Sequence, residues 1–379
     1  MQIIQPLDLE TGYRTFTFKK EHHLVITTKL YFPLMGGDPL LFSDAYQEMA
    51  SLEEPFIDEG LPKLNPEFFT VGNAKSLNGA PVTALNVKTE INGLSKSLHV
   101  TGNRVWLGGI TGTSKPEPFN DMPLIWKNAF GGNEFDPNPS GKGIHKEKTD
   151  LGADLVLMPN VEYSSQLLTG LNQRPTPAGF SPVMIDNPIR SQYLGTYDEH
   201  WLAHDFPGYP KDFNFKGFNA APKDQYLPEP IKGKEVFKLH NLHSEHSLIE
   251  GTLPDFNVKA FLIKPFEELS RLSTSDLNEV KLTPDTVTFF PNQLIGMVIY
   301  RGTVKVDSSD ASDYQYVLSA YESNDTEQRD KSHYFQSLVG RLHPDLNMQY
   351  ALTTKDLIPD EVPCGMARLT QQEGEPKQL

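Results

Sequence analysis

Cysteine is almost absent: Cys364 is the single one in 379 residues. One thiol closes no intramolecular disulfide and builds no thiolate metal cluster, so a reducing compartment is expected and the fold must rest on packing. Long apolar runs are missing too. The longest, such as Leu294 to Tyr300, fall far short of the roughly 20 residues that cross a bilayer as a helix. Met1 to Tyr13 carries Asp8 and Glu10 without a basic stretch and apolar run, which does not read as a secretion signal, so a cytoplasmic location is expected. Basic charge is also scarce, with 34 Lys and Arg against 49 Asp and Glu, a net charge of −15. Nucleic acid or an anionic membrane would have to bind against that field, which argues against both and favours neutral or basic partners.

The motifs of common enzymes are missing as well. Gly141-Lys142-Gly143 is a fragment of a phosphate loop without its preceding glycine or following Ser/Thr, and no G-x-S-x-G nucleophile elbow occurs. His200 and His204 have the spacing of two zinc ligands on a helix, but Trp201 stands where a zinc protease needs its glutamate. Pro207 and Pro210 leave that helix little room. His240, His243 and His246 repeat every third residue, which on a strand sends successive rings to opposite faces. No metal site and no cofactor are therefore expected. Paired carboxylates for glycoside hydrolysis cannot be located among so many acids.

What is there reads as β structure. Tyr13 to Phe32 alternates and then turns β-branched, and Val82 to Ile91 with Leu94 to Val100 flank Asn92-Gly93, the dipeptide suited to a tight hairpin turn. Leu85, Val87, Ile91, Leu94, Leu98 and Val100 give that hairpin one apolar face. Further strands are expected at Glu235 to Leu242, Leu248 to Leu253, Val258 to Ile263, Thr286 to Phe290, Leu294 to Val306 and Tyr314 to Tyr321. Helices are expected after Ser43, ending before Pro55, and from Thr326 to Leu342, capped by Thr326 or Asp325 and stopped by Pro344. Asp44 to Glu67, with seven acids and one lysine, reads as a solvated acidic surface.

Between Gly102 and Tyr226 lie 13 of the 30 prolines, together with many glycines and aromatics. Proline stiffens such loops and rings anchor them, so this segment is expected to be irregular yet ordered. The fold class that follows is mainly β: two antiparallel, sandwich-like regions joined by a long Pro/Gly/aromatic-rich ordered loop segment, with a few short helices. The expected divisions are 1–110 (N-terminal β region), 111–232 (loop-rich segment), 233–343 (C-terminal β region ending in a helix) and 344–379 (polar tail), with 1–343 as one unit.

The loop segment carries a series of words in fixed order: Met122-Pro123-Leu124-Ile125-Trp126-Lys127-Asn128-Ala129-Phe130-Gly131-Gly132, Asn138-Pro139-Ser140-Gly141-Lys142-Gly143 and Leu157-Met158-Pro159-Asn160-Val161-Glu162. Pro177-Ala178-Gly179-Phe180-Ser181-Pro182, Gly195-Thr196-Tyr197-Asp198 with Trp201, Pro210-Lys211-Asp212-Phe213 and Phe218-Asn219-Ala220-Ala221-Pro222-Lys223-Asp224-Gln225 follow. In these words the sequence resembles the type VI secretion effector adaptor (chaperone) family, over roughly residues 20 to 340. The resemblance implies a cytoplasmic protein that binds an effector carrying a PAAR-like domain, stabilises it and helps load it onto the VgrG spike, without catalysis. The His240 to His246 segment departs from the family by its histidine content.

A protein that holds another needs rigid, amphipathic side chains on its surface. The candidates for that role are Trp126, Phe130, Tyr197, Asp198, Trp201, Phe213, Phe218 and Asn219, each aromatic having at least as strong a claim to be core. A carbohydrate-binding or glycosidase-like β protein would show similar Trp, Tyr and Asp richness, though it normally works outside the cell. A structural spike component is the third reading, and the lack of internal repeats weighs against it.

Overall fold

The computed structural model describes residues 1–49, 61–108, 112–144, 146–148, 154–170, 172–324 and 329–342. Expectations for Pro55, the Asp325 or Thr326 cap, the Pro344 stop, Cys364 and the 344–379 tail lie outside them.

The elements of the larger sheets run, in chain order, β1 (Gln2–Ile4), β2 (Leu9–Phe18), β3 (Glu21–Pro33), helix α1 (Phe42–Met49) and β4 (Glu67–Thr70), then β5 (Ala84–Ile91), β6 (Leu94–Thr101) and β7 (Val161–Tyr163). After the loop segment come β8 (Val236–His240), β9 (Leu248–Thr252), β10 (Phe256–Ile263), β11 (Asn278–Val280), β12 (Thr283–Phe290), β13 (Ile295–Val306) and β14 (Tyr316–Ser323). The loop segment holds two short helices, α2 (Pro188–Ser191) and α3 (Glu199–His204), and the described chain closes with α4 (Lys331–Leu342).

A central sheet has the order β2-β3-β13-β12-β4, a second β7-β6-β5-β8-β9, and a third β1-β14-β10-β11. The mainly β, sandwich-like fold is thus observed, with most pairings antiparallel and β12–β4 and β1–β14 parallel. Strands from the two ends of the chain share sheets: β3 pairs with β13 along twelve positions, from Pro33↔Ile295 to His22↔Val306. The expected β regions are interleaved rather than laid side by side.

Period-two patterning explains the layers. On β3, Leu24, Ile26, Leu30 and Phe32 share one face. Leu30 and Phe32 meet Val87, Leu98, Phe237 and Leu239 of the second sheet in the largest core, and Leu24 and Ile26 meet Ala260, Leu262 and Val317 of the third. The opposite face of the central sheet, with Tyr31, Phe69, Met297 and Ile299, is covered by α1 and by Ala220 and Ala221 of the loop segment. Helix α4 packs Tyr334 and Leu338 on the back of the third sheet.

Turn chemistry fixes the registers. Asn92 and Gly93 have positive φ, 47° and 82°, and the β5–β6 ladder starts at Ile91↔Leu94, as the Asn-Gly signal demands. Tyr13 to Phe32 is a hairpin rather than one strand: it reverses at Lys19 and Lys20, both with positive φ, so β2 pairs with β3 through ten positions.

Candidate functional site

Helix α3 begins where the Asp198 carboxylate accepts a hydrogen bond from the Trp201 N–H at 2.8 Å, satisfying one of the donors a helix start leaves open. The helix ends before the prolines, so Pro207 and Pro210 follow it rather than forbid it. Trp201 is its post: the indole N–H donates to the Gly208 carbonyl at 2.8 Å, which pins the ring half-buried against the returning chain. Tyr197 packs edge-on against Trp201 with centroids 4.8 Å apart, and Phe206 does the same at 5.6 Å. Tyr197 is 51 % exposed, Leu202 61 % and Phe206 61 %, so three large side chains stand in solvent beside a half-buried tryptophan, two of them, Tyr197 and Phe206, packed on its ring.

Two further attachments make this hook rigid. The Asp212 carboxylate accepts from the Thr196 N–H at 3.0 Å and the Thr196 hydroxyl at 2.8 Å, and those bonds hold its pKa below the usual carboxylate range. Gly195 needs to be glycine there, with φ +84° and a Cβ that would fall 2.8 Å from Asp212 Oδ1. The Tyr209 N–H donates to the Thr17 carbonyl at 2.8 Å, fastening the loop to the end of β2. Beneath it Tyr209 stacks on Phe213 at 4.2 Å, and Phe213, Phe215, Phe218, Phe16 and Phe18 form one aromatic cluster.

Four of the eight candidates belong to the interior, a correction to their partner-facing assignment. Phe130, Phe213, Phe218 and Asn219 are all buried. Phe130 packs on Phe135, while Asn138 donates to the Trp126 and Phe130 carbonyls at 2.8 and 3.0 Å, so the first two sequence words tie into one knot. Asn219 donates to the Asn65 carbonyl and to Glu67, and accepts from the Leu64 and Asn65 N–H groups. Trp126 is half-buried, with its indole N–H directed to the Ser181 and Pro182 carbonyls. Tyr197 and Asp198 are exposed and Trp201 half-exposed, and these three stand together on the hook.

Sequence reasoning missed Leu202 and left Phe206 out of the candidate set; a signal existed in their place directly after Trp201 and just before Pro207. It also misread Glu67, which is fully buried rather than part of a solvated acidic surface. The Glu67 carboxylate accepts from Lys63 Nζ at 2.5 Å, Asn219 Nδ2 at 2.9 Å and the Ala220 and Ala221 N–H groups at 3.2 and 3.1 Å. A second buried charge, Lys96, donates to Asp224 at 3.1 Å and Gln225 at 2.6 Å, beneath the rings of Tyr163 and Phe180. Burial pushes its pKa down to about 8, against the opposing pull of Asp224. Gln225 in turn donates to the Phe68 and Phe180 carbonyls. The Phe218 to Gln225 word is therefore the clasp between the central and second sheets.

The histidines of the two clusters divide among helix, strand and loop. His200 and His204 stack on α3 with centroids 4.4 Å apart, His240 lies 3.1 Å from Glu90, and His243 stacks on His246 at 4.9 Å. Among the described residues no group of three or more His, Cys, Asp and Glu is arranged to hold a metal ion. Two open hollows, of about 180 Å³ beside Lys264 and Asp313 and about 130 Å³ beside Ile231 and Tyr300, are smaller than the roughly 300 Å³ at which small-molecule sites begin. No described helix is long and apolar enough to cross a membrane.

Compared with known proteins, residues 15–301 match the family described as "Uncharacterized protein conserved in bacteria (DUF2169)". No curated protein and no solved structure gave a match.

Proposed function

Since the chain belongs to this bacterial family, we propose that it acts as an adaptor that grips another protein: a type VI secretion effector with a PAAR-like domain, stabilised in the cytoplasm and delivered to the VgrG spike. The observation that carries the reading is the hook, where Tyr197, Leu202 and Phe206 stand more than half exposed around a fixed Trp201. Apolar groups clustered in water mark interaction surfaces. Aromatic rings held rigidly lose little entropy on docking, which is what interface anchors require. The adaptor role and the named partners come from the resemblance of the loop-segment words, and the net charge of −15 agrees with a neutral or basic partner.

The test is co-expression with a toxin that carries a PAAR-like domain, taken from the source bacterium. The toxin is expected to be soluble and to co-purify with the chain, and to aggregate when expressed alone. Recovery of equally soluble toxin without the chain, and no complex on gel filtration, would remove the proposal.

A further inference from the structure

Strand β2 lies at the edge of the central sheet, and among the described strands β3 is its one partner. The ladder runs without a bulge from Leu9↔Leu30 to Phe18↔Glu21, so the N–H and C=O groups of alternate residues point away from β3. The odd-numbered residues are the outward ones. The Thr11 N–H goes to the Gln5 side chain at 2.6 Å, and the Thr17 carbonyl accepts from the Tyr209 N–H at 2.8 Å. Between these two ends, Tyr13 and Thr15 direct their backbone donors and acceptors outward with no partner among the described residues. Gly12, Tyr13 and Arg14 are exposed, so this stretch of edge is open to solvent.

The protein itself pairs with the next part of the same edge. Phe18 and Tyr209 form a parallel bridge, and Gly208 lies so close to Thr17 that a Cβ would come within 2.9 Å of its carbonyl oxygen. Going backward from Gly208 the chain leaves the edge through Phe206 into the hook. The hook therefore borders the point at which the edge becomes free.

We infer that β2 is a strand-addition site: an extended, backbone-accessible segment of the partner pairs with Tyr13 and Thr15 and sets a bulky apolar side chain against Tyr197 and Phe206. The inference rests on the adaptor reading and specifies the chemistry of what is gripped. Main-chain hydrogen bonds give such pairing its affinity, and a side-chain contact at one end gives it selectivity. An unpaired edge in a folded protein is a standing invitation to pairing, normally blunted by charge, bulges or a cover. Among the described residues the ends are closed by Gln5 and Tyr209, and the middle is left open.

Thr15→Pro and Tyr13→Pro test this, because each removes an outward N–H while sparing the β2–β3 ladder. Both variants are expected to melt with the wild type and to bind a purified toxin with a PAAR-like domain about tenfold more weakly, as the loss of one backbone hydrogen bond predicts. In the wild-type protein, hydrogen exchange at the Tyr13 and Thr15 amides is expected to slow on complex formation. Should a proline variant misfold, this exchange measurement decides alone. A toxin that binds while both amides exchange at their free rate overturns the strand-addition site and leaves the adaptor reading standing; a toxin that does not bind at all removes both.

Discussion

Glu67→Ala is expected to lower stability by about 3–5 kcal/mol, the size of effect that follows when one member of a buried charge pair is removed. The carboxylate sits on the four-residue strand β4, and its side chain and that of Lys63 are 0 % and 2 % exposed. It takes four donors at once, one from Lys63, one from Asn219 and two from the backbone of Ala220 and Ala221. Alanine would leave those donors buried without their acceptor. Each buried donor stripped of its partner costs about 1–3 kcal/mol before relaxation. Relaxation into the cavity returns part of this, hence the range. Tyr226 provides a local reporter, since burial and then the Glu67 charge push its phenol up to about 12. Urea unfolding followed by tryptophan and tyrosine fluorescence measures the loss, and a change below about 1 kcal/mol would contradict the role given to this carboxylate.

Lys96→Ala is expected to cost about 2–4 kcal/mol at neutral pH, through the cavity left by the side chain and the lost bonds to Asp224 and Gln225. Lys96→Met refills most of that volume and should cost less. The pH dependence is the sharper test. With a folded pKa of about 8 against an ordinary 10.5, Lys96 is protonated in both states below pH 8 and contributes no slope there. Between about pH 8 and 10.5 the unfolded chain holds the extra proton, so this group makes stability rise with pH, by at most about 1.4 kcal/mol per unit. Tyr163 acts in the opposite sense above pH 10. Burial, then the charge of Asp224, raises its phenol, so the unfolded chain loses a proton that the folded one keeps. Subtracting the Lys96→Met stability curve from the wild-type curve should therefore leave a rise across pH 8–10; a flat difference would show that the ammonium is not desolvated in the fold.

Much of the scaffold was legible because local chemistry specified it. Asn92-Gly93 fixed a turn, and the alternating runs after Glu235 became β8, β9, β10, β12, β13 and β14 nearly where patterning placed them. The β2–β3 reversal was not legible, since two lysines carry none of the usual turn signal and adopt positive φ only because long flanking strands compel it. Glu67 was misread because a charge run is judged by its average, whereas burial is decided by what meets one residue. The donors that keep Glu67 dry arrive from Asn219 to Ala221, about 150 positions away in sequence. The same distance problem divides the aromatics. Phe206 and Phe213 look alike on paper, yet one is 61 % and the other 5 % exposed, because only Phe213 lies under Tyr209 and Phe218. Most of the words of the loop segment proved to be clasps that hold it to the sheets, and the hook is one short stretch among them.

If this hook grips the partner, the affinity of a purified toxin with a PAAR-like domain for the chain depends on the two exposed rings of the hook. Tyr197→Ala combined with Phe206→Ala spares Trp201, which anchors the loop through Gly208. With both rings gone the affinity is expected to fall about a hundredfold or more, as for two interface anchors of about 2 kcal/mol each, while the melting temperature stays that of the wild type. A correctly folded double variant that binds the toxin as tightly as the unaltered chain would contradict the account.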